Sequence, residues 1–195
     1  MNHIAKERAA LYATDADFCR IFRQDMQSLY LLALVLTADP ERAEGCFVSG
    51  LNDCSEGNQV FKDWARSWAR RVVIKNAIRT VKPGAAPGLQ EAESDQLRVQ
   101  AVENLPAEIA ALLALPAFER FVYVMALCEG YSDHDCALLL GCMRSDVVTA
   151  RIRALQRTGR VGEVRDRLHA DELRTKSEIN KAVNGFAMTA LAIPA

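Results

Sequence analysis

Apolar residues in this 195-residue chain recur three and four positions apart, while the strand-like alternation of aromatic and β-branched residues is scarce and leucine and alanine dominate. That periodicity restricts the fold to packed helices. Half of the residues are hydrophobic and a quarter are charged, enough apolar content for a core and too little charge for a disordered chain. The expected fold class is therefore all-α.

Punctuation along the chain marks where helices begin and end. A helical apolar pattern runs through Phe18, Ile21, Phe22, Leu29, Leu32, Ala33 and Leu36 and breaks at Thr37–Pro40. Proline suits the first helical position, so a new helix is expected there with Asp39 as its N-cap. It carries Ala43, Phe47 and Leu51 and runs into the polar loop 52–59. In the next segment, Phe61 to Val81, Phe61, Trp64, Ala65, Trp68 and Val72 recur at helical spacing between basic residues. Pro83, Gly84, Pro87 and Gly88, followed by acids, read as an interdomain linker. Beyond it, Leu105–Pro106 and Leu115–Pro116 mark helix starts, and Phe118, Phe121, Val122, Met125 and Ala126 form an apolar face that ends at Gly130. Ser132 with Asp135 three residues on is a capping-box pattern, and Gly141 suits a left-handed helix end. These boundaries divide the chain into a helical domain at 1–81, a linker at 82–100, a helical domain at 101–160 and a helical tail at 161–195.

Charge is unevenly placed although the net charge is only −1. Seven Lys and Arg between Phe61 and Lys82 stand against one acid, and five arginines between Arg144 and Arg160 stand against one. Between these segments, Pro83–Glu108 carries five acids and one arginine. Two basic segments split by an acidic one suit two contacts with a polyanion, although solvated helix faces read equally well from charge alone. Arg66, Arg70, Arg71, Lys75 and Arg79 on one helix can track a phosphate backbone, and Asn76 can offer an amide to a base edge. Trp64 and Trp68, at i and i+4, can stack on a flipped base. Both are nevertheless expected in the core, Trp64 because Phe61 and Val72 share its face.

The stretch from Gly130 to Arg157 has the layout of a helix-turn-helix, in which a bracing helix is followed by one that lies in a DNA groove. An ordinary αα-hairpin fits the same pattern. Two registers of the second helix are open: one buries Val148, Ile152 and Leu155, the other Val147, Ala150 and Ala154. Thr149 and Arg153 face outward in both. Arg144, Ser145, Arg151 and Arg157 complete the candidate contacts of this helix.

Leu115, Pro116, Arg120, Glu129, Gly130, Ser132, Ala137, Leu140 and Gly141 together resemble the fourth conserved region of bacterial RNA polymerase sigma factors of the extracytoplasmic-function type. In the same order, Leu29–Glu44 resembles the opening of the second conserved region, and Phe61–Arg79 resembles its helix for the minus-ten promoter element. The resemblance covers about Asp17 to Arg157. It implies an N-terminal helical bundle joined by a flexible linker to a C-terminal helix-turn-helix domain. It further implies promoter DNA and RNA polymerase core as partners, with an anti-sigma factor as a further one. Glu44 would be the surviving contact to the polymerase clamp, since Gly45, Val48 and Ser49 stand where the family usually has a second acid and Gln-Glu. Met143 replaces the usual serine cap of the recognition helix, and Val148 or Thr149, by register, a usual lysine. Two further readings remain: a degenerate DNA-binding regulator that recruits no polymerase, and a helical protein-interaction module.

No catalytic constellation competes, because His3, His134 and His169 are scattered and no paired carboxylates or Gly-rich phosphate loop occur. The six cysteines form no C-x-x-C pair, so reduced core thiols are expected, with no metal or other cofactor. No signal peptide opens the chain, and the apolar runs Leu29–Leu36 and Ile109–Phe118 fall short of the ~18 residues of a membrane span. A cytoplasmic protein without a membrane partner is the expectation.

Overall fold

The computed structural model describes residues 11–56, 60–84 and 106–158. Most of the expected linker and all of the expected tail lie outside these residues. Within them the chain is helical, with one antiparallel bridge, between Tyr12 and Phe61, and no strand.

Helix α1 spans Asp15–Gln24 and α2 spans Met26–Thr37. The apolar pattern ran through both as one, but the chain breaks at Asp25, whose φ of −105° and ψ of 18° depart from helix. Aspartate is a weak helix former, and its carboxylate is held from outside by Arg66 at 2.8 Å. Thr14 starts α1 with a reciprocal capping box to Asp17. Helix α3, Pro40–Ser55, begins as the sequence indicates, with the Asp39 carboxylate accepting from the Arg42 N–H at 3.0 Å. A 3-10 turn at Lys62–Trp64 leads into α4, Ala65–Val81.

In the second half, Pro106 and Pro116 precede α5 (Ala107–Leu113) and α6 (Ala117–Tyr123). A π-helical turn, Val124–Cys128, continues α6 and ends at Glu129. Gly130 then takes φ +72°, a region that glycine enters without steric cost. Helix α7, Asp133–Leu140, is capped by Ser132, whose hydroxyl accepts from the Asp135 N–H, and it stops at Gly141 with φ +65°. Helix α8 runs Arg144–Thr158.

The buried apolar residues form one contiguous cluster, from Phe18 in α1 to Ala154 in α8. The packing thus runs across the boundary at which two domains were expected. Arg120 on α6 is fully buried and ties the halves together. Its Nη1 donates to the Leu113 carbonyl at 3.3 Å and to the Leu115 carbonyl at 2.8 Å, and its Nε to the Leu36 carbonyl of α2 at 3.3 Å. A buried guanidinium needs such acceptors, because a desolvated charge without them is strongly unfavourable.

Candidate nucleic-acid interface

Helix α4 presents alanines and β-branched residues to the core. Ala65, Ala69, Val72, Val73, Ile74, Asn76 and Ala77 are buried, the alanines at positions where neighbouring helices approach. This inward face corrects the expected placement of Trp64. Its helix begins one residue later, after the 3-10 turn, so Trp64 is 64% exposed and meets Phe61 edge-on, with ring centroids 5.4 Å apart. Phe61 in turn stacks on Tyr12 at 4.8 Å. These aromatic rings form an open step beside Lys62. Trp68 is half-buried, with the Lys75 ammonium 5.6 Å from its ring centroid.

The basic side chains of α4 are held by specific partners. Arg66 bonds the Asp25 carboxylate at 2.8 Å and the Gln24 amide oxygen at 3.0 Å while remaining half exposed. Arg79 pairs with Asp53 at 2.9 Å and is also exposed. The Asn76 amide is buried and donates to Asp53 at 3.0 Å and to the Val72 carbonyl at 3.1 Å, so it faces the bundle instead of the surface. Arg70 and Arg71 point at the second half of the chain. Arg70 makes a bidentate pair with Glu129 (2.7 and 2.5 Å) and donates from Nη1 to Ser28 Oγ at 2.7 Å. The Arg71 guanidinium lies 6.0 Å from the Tyr131 ring centroid.

On α8 the structure selects the second of the two registers: Val147, Ala150 and Ala154 are buried and Ile152 is 49% exposed. Alanine at two of the three inward positions suits close packing of α8 against α6. Arg144, Ser145, Thr149 and Arg153 are exposed along the outer side, with the Thr149 hydroxyl donating to the Ser145 carbonyl at 2.9 Å. Arg151 is turned toward α7 and pairs with Asp133 at 2.8 Å, and Arg157 pairs with Glu119 at 3.4 Å. Met143 brings no capping oxygen, but the Asp146 carboxylate reaches back to the Met143 N–H at 3.1 Å. That contact satisfies one of the orphan donors at the helix start. The Ser132 hydroxyl, donating to Asp135 at 2.6 Å, holds that carboxyl below its usual range.

Helix α3 carries Glu44 on its exposed side with Gly45, Val48 and Ser49. Among the described residues no cluster of His, Cys, Asp or Glu is arranged to hold a metal, and no helix is long and apolar enough to cross a membrane.

Among the described residues, then, the chain is helical and carries basic side chains on two separate helices, α4 and α8. Among curated proteins it is similar to the ECF RNA polymerase sigma factor SigM of Mycobacterium tuberculosis, in two strains (ATCC 35801/TMC 107/Erdman and ATCC 25618/H37Rv). Each is 27% identical over 164 residues, which span 82% of this chain and 80% of the relative. A match of that extent takes in both α4 and α8, wherever in the chain it starts. The likeness supports the extracytoplasmic-function sigma factor family. No family model matches the chain, and no solved structure does.

Proposed function

We propose that this chain is a sigma factor of the extracytoplasmic-function type, which directs RNA polymerase core to promoters and catalyses nothing itself. The similarity to SigM over most of both chains is the observation that carries this reading. In this reading α7 and α8 form a helix-turn-helix. Arg144, Ser145, Thr149 and Arg153 on its outer side meet the minus-thirty-five element, with Arg151 and Arg157 flanking them. Helix α4, through Arg66, Arg70, Arg71, Lys75 and Arg79, meets the minus-ten element, and Asn76 helps to hold Arg79 in place through their shared Asp53. The open rings of Trp64 and Phe61 beside Lys62 suit stacking on an unpaired base, since stacking is sequence-tolerant and each base offers a π face. Glu44 and the exposed side of α3 bind the polymerase clamp in the cytoplasm.

A second reading has specific support. With Gly45, Val48 and Ser49 beside it, Glu44 is the one charged residue between Ala43 and Leu51 on α3, which favours a DNA-binding regulator that recruits polymerase weakly. In vitro transcription with core enzyme over a genomic fragment pool tests the main reading, which expects discrete promoter starts. Pull-down of core by the wild type and by Glu44→Lys separates the two. Core binding lost on charge reversal supports the sigma factor, whereas DNA binding without any core binding supports the regulator.

A further inference from the structure

We propose that Glu129 is an intramolecular gate over a phosphate subsite formed by Arg70, Arg71 and Ser28, so that the second half of the chain masks part of the nucleic-acid face of α4 until a phosphate displaces it. The inference rests on the reading of α4 as a nucleic-acid contact and adds a regulation of that contact.

Three observations converge. First, the Arg70 fork is filled in the way a phosphodiester would fill it. Nε and Nη2 bond the two carboxylate oxygens of Glu129 at 2.7 and 2.5 Å, and Nη1 reaches Ser28 Oγ at 2.7 Å. Planar guanidinium recognises carboxylate and phosphate by the same two-point geometry, so the one group can replace the other. Second, the pair is withdrawn from water: the side chains of Arg70 and Glu129 are 19% and 6% exposed. Arg66 and Arg79, at the two ends of α4, keep more than half of their side-chain surface open. An incoming polyanion would thus find the ends of the helix accessible and its middle occupied. Third, the carboxylate is aimed by local backbone geometry. The Glu129 N–H bonds back to the Val124 carbonyl at 2.9 Å, closing the π-helical turn, and Gly130 then turns the chain with positive φ. Two residues on, Tyr131 sets its ring against Arg71. A single turn therefore covers both arginines, and its lifting would free both.

The test uses the full chain, with fluorescence anisotropy of a labelled single-stranded and a labelled duplex oligonucleotide across a salt series. Glu129→Gln keeps the shape and removes the charge that competes with phosphate. The expected result is about tenfold tighter binding, with the slope of log affinity against log salt steeper by about one, the signature of one more phosphate engaged. Adding Arg70→Ala to Glu129→Gln returns the slope to its wild-type value. Equal affinity and slope for the wild type and Glu129→Gln, with both binding, overturns the gate and leaves the nucleic-acid reading standing. Absence of binding by both the wild type and Glu129→Gln overturns both the gate and the nucleic-acid reading. If Glu129→Gln loses helicity by circular dichroism, Glu129→Asp, which draws the carboxylate back by one methylene, is measured instead, with a smaller gain in the same direction expected and no gain overturning the gate.

Discussion

Gly50 of α3 lies directly against Val73 of α4. A Cβ added at Gly50 would stand 3.1 Å from Val73 Cγ2 and 3.6 Å from Phe22 Cζ, whereas one added at Gly45, on the same helix, would meet nothing within 4 Å. Two glycines five residues apart therefore have opposite meanings. Gly50→Ala is expected to destabilise by about 1 kcal/mol net, because Val73 and Phe22 are buried and stiffly packed and overpacking outweighs the helix propensity gained. Gly45→Ala is expected to stabilise by about 0.5–1 kcal/mol. Urea midpoints of the two variants check this, and a shift in the same direction for both would contradict the packing.

Arg120 is the buried tie between the halves. Replacing it with methionine would leave the carbonyls of Leu113, Leu115 and Leu36 short of their donor, at about 1–3 kcal/mol for each buried group left unsatisfied. A loss of at least about 2 kcal/mol is expected, together with faster amide exchange at the ends of both α2 and α6. Stability within error of the wild type would show that the guanidinium is dispensable.

Burial pushes the Cys54 thiol up to about 12 and the Cys136 thiol to about 11, from an ordinary 9.0. Folding thus makes these protons harder to remove than they are in the unfolded chain. Their contribution to stability is complete below pH 9.0 and is lost as pH rises through about 11 and about 12. The urea midpoint should fall from about pH 8 to about pH 11. Iodoacetamide should modify the exposed Cys19 first and reach Cys54 and Cys136 only on unfolding. Rapid alkylation of Cys54 in the folded chain would contradict its burial.

Arg153 is exposed on the outer side of α8. If it contacts a base, Arg153→Ala should weaken binding to the best promoter site by about 1–3 kcal/mol and relax one position. A phosphate contact would instead lower affinity evenly across sequences. Gel-shift titrations with the best site and with variants of it distinguish the two, and unchanged affinity removes Arg153 from the interface.

What the amino-acid sequence determined by itself was local. The Asp39–Pro40 start of α3, the Ser132–Asp135 cap of α7 and the left-handed stop at Gly141 stand where the residues indicate, because each depends on groups within a few positions of one another. The helical class followed from periodicity for the same reason. Tertiary structure decided what periodicity leaves degenerate. Which of two apolar stripes on α8 turns inward depended on how closely α6 could approach, and the outward position of Trp64 depended on where α4 began relative to the bundle. The partners of the basic residues were the least legible. Arg70 meets a carboxylate 59 positions away and Arg120 a carbonyl 84 positions away. A charged side chain reads the same in sequence whether it faces solvent, a phosphate or a buried acid. Only the packing of distant helices chooses among them, because desolvation makes an unpaired charge far more costly inside than at the surface.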